Sequence, residues 1–156
     1  MMEAMMQTAN QTRPQVDAAT FTITFERTLA ALREQVFDSW TKPEHISQWW
    51  DPTGTPLLEC TIDLRVGGAF RFLNAGHSPP FEGVYRVIDR PTKLVFDAMG
   101  AVGTVLIETQ GPKTHLTVTI RCASAEHLEQ LVKVGVDVDT GKTLDNLVGH
   151  LQKTAK

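Results

Sequence analysis

Hydrophobic residues along this chain change their period several times, and each change predicts an element. Phe21-Thr22-Ile23-Thr24-Phe25 alternates strictly, which places Phe21, Ile23 and Phe25 on one face of a strand. Leu29, Leu32, Val36 and Trp40 then recur at steps of three and four, an amphipathic helix with Phe37 beside the stripe. Pro43 suits the first turn of a second, short helix. Asp51-Pro52 ends it, because the residue before a proline is pushed out of the helical region. Trp49 and Trp50 fall on either side of Ile46, about 100° apart, so both indoles can share one broad apolar face.

From Leu57 onward the alternation returns. Leu58, Cys60, Ile62 and Leu64 predict a strand, Val66-Gly67-Gly68 a turn, and Phe70-Arg71-Phe72 the returning strand of a hairpin with Arg71 toward water. Ala75 to Pro80 reads as a polar loop, Phe81 to Ile88 as a strand, Asp89-Arg90-Pro91-Thr92 as a turn, and Leu94-Val95-Phe96 as the start of the next strand. Val102 to Thr109 and His115 to Arg121 follow, joined by Gln110-Gly111-Pro112-Lys113, with Leu116, Val118 and Ile120 inward. Ser124 is an N-cap for a helix over 125–133, which the segment VGVDVDTG interrupts. Leu144, Leu147, Val148 and Leu151 define an amphipathic C-terminal helix.

These elements predict an α+β fold: a curved antiparallel sheet of six or seven strands around a long C-terminal helix, with two short helices after the first strand closing one end. Residues 1–18, polar and aperiodic, are expected to form a flexible tail, and 19–156 a single domain. A curved sheet gripping one helix leaves space between the two, and the paired tryptophans are placed to close it.

Composition narrows the chemistry. A chain of 156 residues with 42% hydrophobic and 21% charged positions can bury one ordinary core. Its net charge of -3 and the lack of any Lys/Arg run argue against a nucleic-acid partner. No stretch has the length of a membrane span or the pattern of a secretion signal, which points to the cytoplasm. Cys60 and Cys122 lack metal-type spacing and read as two buried thiols.

Motifs for catalysis fail on inspection. Gly141-Lys142-Thr143 lacks the earlier glycine of a phosphate loop, since position 136 is valine. Asp137, Asp139 and Gly141 lack the glycine and glutamate spacing of a calcium loop. His45, His77, His115, His127 and His150 lie on separate elements with no paired metal spacing, so neither a metal nor a cofactor is expected. Glu82, Arg86, Asp97 and Glu108 are candidate buried ionisable groups on strands, better read as exposed, although Gly83 to Ile88 is apolar on both alternations.

Several short motifs occur in a telling order: Phe37-Asp38-Ser39-Trp40-Thr41-Lys42-Pro43-Glu44-His45, Gln48-Trp49-Trp50, Asp63-Leu64-Arg65-Val66-Gly67-Gly68, Gly83-Val84-Tyr85 and Asp89-Arg90-Pro91-Thr92-Lys93-Leu94-Val95-Phe96. Together with Glu126 to Leu131, Gly135 and Thr143 to Leu147, they resemble bacterial homologues of the activator of heat shock protein 90 ATPase, within the SRPBCC or START-like superfamily. The resemblance runs from about Phe21 to Leu151 and implies a helix-grip fold. One departure stands out: Gly135-Val136-Asp137-Val138-Asp139-Thr140-Gly141 replaces a shorter family segment resembling Gly-Met-Glu-Glu-Gly. The two added residues are expected to break the helix and reshape the cavity mouth.

The resulting expectation is a ligand-binding protein, a monomer or homodimer, that takes a small hydrophobic or aromatic molecule between sheet and C-terminal helix. The expected wall is Trp40, Trp49, Trp50, Phe70, Phe72, Tyr85, Phe96, Leu144, Leu147 and Val148, with the Tyr85 hydroxyl orienting the ligand. The alternatives are a co-chaperone that modulates a chaperone ATPase, as the resemblance implies, and a cyclase or hydrolase using the same cavity.

Overall fold

The structure, a computed structural model, describes residues 12–76 and 79–154. Eight strands form one antiparallel sheet: β1 (Gln15–Asp17), β2 (Thr22–Leu29), β3 (Glu59–Ile62), β4 (Ala69–Leu73), β5 (Phe81–Asp89), β6 (Lys93–Ala98), β7 (Ala101–Gln110) and β8 (Lys113–Arg121). Their spatial order is β1-β2-β8-β7-β6-β5-β4-β3. Consecutive strands from β3 to β8 pair as a meander, and β2 closes the far side by pairing with β8. Two short helices, α1 (Arg33–Thr41) and α2 (Pro43–Trp49), connect β2 to β3; α3 (Ala125–Lys133) and α4 (Val136–Thr154) follow the sheet. This is the α+β helix-grip arrangement, with α4 packed against β2 and the other three helices.

Alternation places the core as expected on most strands. Ile23, Phe25, Val105, Ile107, Leu116 and Val118 are buried from the sheet side, and Leu144, Leu147 and Leu151 from α4. Several details differ from the sequence reading. Phe21 lies in the turn before β2, at φ +57°, and not on the strand. Leu29 ends β2 in the core, and Leu32 is the exposed N-cap of α1, where Gln35 Oε1 accepts from the Leu32 N–H. Leu58 and Leu64 extend the alternation of β3 beyond its paired residues and are exposed.

The eighth strand, β1, comes from the segment expected to be tail. Its three residues are all exposed and are held by backbone pairing to β2, so no apolar alternation marks them. Just before it, the Thr12 backbone N–H and Oγ1 both donate to Asp145 Oδ1 on α4, and Arg27 joins the same carboxylate at 3.1 Å.

The segment expected to break the last helix instead begins it. The interruption is confined to Val134 and Gly135, where Gly135 turns the chain at φ +88°, a conformation open to glycine. Helix α4 starts at Val136, and Asp137 and Asp139 in its first turn face the positive end of the helix dipole. Gly141-Lys142-Thr143 is therefore helical and forms no loop around a phosphate.

Candidate functional site

Residues of the segments Phe37–His45, Gln48–Trp50 and Asp89–Phe96 hold α1 and α2 over one end of the sheet. Arg90 Nη2 donates to Asp38 Oδ1 at 3.0 Å, and its guanidinium lies 5.7 Å from the Phe37 ring centre, tying the β5–β6 turn to α1. Trp49 Nε1 donates to the Ser39 carbonyl at 3.1 Å and joins α2 to α1. Beyond α2, Asp51 accepts from the Thr53 N–H and hydroxyl and from Asn74 Nδ2. Burial alone would raise the Asp51 pKa, but these hydrogen bonds outweigh it and hold the carboxyl below its ordinary value. Helix α4 grips the same turn, as Thr143 Oγ1 donates to the Trp50 carbonyl and Asn146 Nδ2 to the Asp51 carbonyl.

Beneath these helices lies a continuous aromatic cluster. Trp40, Trp49 and Trp50 meet edge to face, with Trp40 and Trp49 centred 4.9 Å apart. Trp50 continues onto Phe72 and Phe81, each 5.1 Å away, and Phe70 contacts Tyr85 and Phe96 at 5.1 and 5.4 Å.

Two glycines make room for this cluster. Phe70 pairs across the sheet with Gly83, and Phe96 with Gly103. A methyl group at Gly83 would sit 2.3 Å from the Phe70 ring, and one at Gly103 would sit 2.6 Å from the Phe96 ring. Each ring therefore occupies the space a side chain at the opposite glycine would take, and the floor of the cluster is set by strand register.

A cavity of about 10 Å³ remains at its centre, walled by Trp40, Ile46, Trp50, Phe70, Phe72, Phe81, Tyr85, Leu94 and Phe96. That is near the lower limit for a single water molecule and far below the several hundred Å³ of a typical ligand pocket. Six of the expected residues, Trp40, Trp50, Phe70, Phe72, Tyr85 and Phe96, meet at this wall.

The other four do not. Trp49 is 0% exposed and packs behind Trp40; Leu144 and Leu147 are core residues of α4, and Val148 is half-buried against that core. The cavity thus lies under α1 and α2, and the C-terminal helix contributes none of its wall. None of residues 135–141 reaches it either. Ile46, Phe81 and Leu94 complete the wall without having been expected there. Each had a sequence signal, since Ile46 is the centre of the tryptophan face and Phe81 and Leu94 are apolar residues at the starts of expected strands.

Electrostatically the wall is nearly neutral. Tyr85 is its only titratable group, and burial, with the nearby Cys60, pushes the phenol pKa upward so that it stays protonated. The Cys60 thiol is itself pushed up to about 11, by burial and then by the charge of Glu44. Trp40 carries a further peculiarity: its Nε1–H is buried and has no partner. An orphaned buried donor costs about 1–3 kcal/mol.

The ionisable strand residues point away from the cavity. Arg71 pairs with Glu59 at 2.8 Å, Arg86 with Asp97 at 3.3 Å, and Glu82 and Glu108 are exposed. The double apolar alternation of β5 is explained by a bulge between Tyr85 and Val87, which turns both Arg86 and Val87 outward. Among the described residues no three His, Cys, Asp or Glu side chains gather around a common point. His77 lies outside the described residues.

His45 on α2 and His150 on α4 do meet, with Nδ1 and Nε2 3.1 Å apart. Burial, the facing His45 and the Lys153 charge hold the His150 pKa below its ordinary 6.5. The unfolded chain therefore binds this proton more tightly than the folded one. The stability linked to the neutral His150 imidazole is intact above about pH 6.5 and is lost as pH falls through the lower folded value. Thermal unfolding is expected to show a midpoint that declines on acidification from pH 7.5 to 5.5, and a shallower decline in His150→Gln. Identical slopes would contradict this role.

A family model described as Activator of Hsp90 ATPase homolog 1-like protein matches residues 30–152. The chain belongs to this family. Among solved structures, a Rhodobacter sphaeroides protein is similar at a TM-score of 0.80 and 20% identity, over 92% of this chain and 99% of that one. Protein Ms6760 from Mycobacterium smegmatis follows at 0.78 and 20%, over 92% and 99% of the two chains. Protein NE0264 from Nitrosomonas europaea gives 0.79 and 20%, over 90% and 100%. At such identities these likenesses establish the fold alone. No significant match was found among curated proteins. Of the described helices, none is long and apolar enough to cross a membrane.

Proposed function

We propose that this family member binds a small hydrophobic or aromatic molecule at the aromatic end of its sheet. The observation that carries the reading is the wall itself: nine apolar or aromatic residues converge from α1, α2 and three strands on a void that is almost collapsed. A core selected only for stability gains most from full packing. Here rings take the space opposite glycines around a point that remains unfilled.

Entry requires the aromatic cluster to part. The carbonyls of Trp50 and Asp51 are tied to α4, so the helix end is anchored. Trp50 is only half-buried, and its ring, resting on Phe72 and Phe81, is the movable member. Trp50→Ala is expected to weaken binding about tenfold while the domain stays folded. Tryptophan fluorescence titrated with fatty acids, flavonoids, steroids and hydrophobic dyes reads this directly. A flat response across the panel would rule against the proposal. The two free thiols, Cys60 and Cys122, suit a carrier or sensor working in the reducing cytoplasm.

A second reading, a co-chaperone acting on a chaperone ATPase, is favoured by the family description. It predicts a changed rate of ATP turnover by the cognate chaperone, and an unchanged rate at saturating protein would dismiss it. Acid-base catalysis in the cavity has less support, because the wall offers no carboxylate or imidazole and its one phenol is held protonated.

A further inference from the structure

Two indoles are buried under α1 and α2, and they differ in one respect. Trp49 donates its Nε1–H to the Ser39 carbonyl, whereas Trp40, 4% exposed and part of the cavity wall, donates to nothing. Buried donors without acceptors are rare, and an indole N–H can only donate. The rest of the wall cannot serve it. Seven members are hydrocarbon or aromatic side chains without an oxygen acceptor, and no hydrogen bond joins Trp40 to the eighth, Tyr85.

We infer that the ligand of this cavity carries a hydrogen-bond acceptor, a carbonyl or ether oxygen on an otherwise apolar aromatic framework, which receives the Nε1–H of Trp40. The inference rests on the cavity being a binding site and names the chemistry that fits it. A hydrocarbon would leave the donor orphaned. An anionic head group finds no cation in the wall, and a bare donor finds no carboxylate. Tyr85, kept protonated by burial, offers a second donor to the same kind of oxygen. The rival acceptor is one trapped water. The void is barely large enough, and a buried water usually makes about three hydrogen bonds, whereas the side chains of this wall offer only two oxygen-binding donors besides the half-buried Trp50.

The test uses benzophenone and 1,1-diphenylethylene, which share a shape and differ in the carbonyl. The full chain, labelled with ¹⁵N, is titrated with each, and the indole N–H signals are followed, with Trp40 assigned by its nuclear Overhauser contacts. Benzophenone is expected to move the Trp40 signal downfield and the alkene to leave its hydrogen-bonding state unchanged. In Trp40→Phe the ketone-to-alkene affinity ratio is expected to fall about tenfold. Both compounds binding wild-type protein without a ketone-specific Trp40 shift would overturn the inference and leave the cavity reading standing; this is also the result if water already serves as acceptor. Neither compound binding would remove both.

Discussion

Trp49→Ala is expected to destabilise the fold by about 3–5 kcal/mol, the largest single effect predicted for this chain. Trp49 is wholly buried, packs edge to face on Trp40 at 4.9 Å and carries the hydrogen bond that joins α2 to α1. Its loss removes apolar contacts, leaves a cavity and orphans the Ser39 carbonyl at once. A domain of this size has about 5–15 kcal/mol in total, so the variant is expected to be marginal or unfolded at 37 °C. Urea denaturation followed by circular dichroism measures this, and a loss below about 1 kcal/mol would show that the helix pair is held by other contacts. The adjacent tryptophans thus have separate tasks: Trp49 fastens the helix pair, and Trp50 covers the cavity.

Gly83→Ala is expected to have the second largest effect, about 1–3 kcal/mol of destabilisation. The added methyl would stand 2.3 Å from the Phe70 ring and 2.4 Å from the Asp97 carbonyl oxygen. The ring can swing but the backbone oxygen belongs to the paired strand β6, so β5 and β6 have to separate locally. Denaturant midpoints give the cost, and hydrogen exchange at 83–85 and 96–98 shows its location. Wild-type protection in those segments would mean that ring motion alone absorbs the methyl. The paired change Gly83→Ala with Phe70→Leu is expected to recover part of the loss, because Leu removes the ring.

Much of the fold was legible in the sequence because period-two and period-3.6 patterns report directly on burial. The strands from Phe81 to Arg121, the short helix between Pro43 and Asp51, and the Ser124 cap, whose Oγ accepts from the His127 N–H, follow from local rules. Strand β1 was illegible since its one apolar residue, Val16, is exposed and backbone pairing alone holds it. The start of α4 was illegible for a different reason. Val136-Asp137-Val138-Asp139-Thr140-Gly141 has weak helix propensity, and tertiary anchors such as Thr143 to Trp50 and Asp145 to Thr12 override it.

The candidate site was half legible. Alternation pointed to Phe70 and Phe72, whereas Tyr85 lies where β5 is apolar on both alternations and only the bulge after it fixes its side; inward residues of a long curved sheet are in addition shared between two coverings. Helix α4 covers the β2 side, where Leu144 and Leu147 fill the core, and α1 and α2 cover the end with the rings. Which covering meets which strands depends on curvature and crossing angle, and neither is written in a single strand's alternation. The glycines opposite Phe70 and Phe96 became meaningful only once register was known.

The central claim is that the void beneath α1 and α2 is a binding site, and methyl NMR tests it most directly. With Ile and Leu methyls labelled, benzophenone is titrated into the wild-type protein. The Ile46 and Leu94 signals, from the cavity wall, are expected to shift saturably with one binding constant, while those of Leu144 and Leu147 in the filled core stay within a small fraction of that change. Saturable shifts centred on Leu144 and Leu147 instead would place the site under the C-terminal helix, and no saturable shift at any of the four would mean that the aromatic end is packing alone.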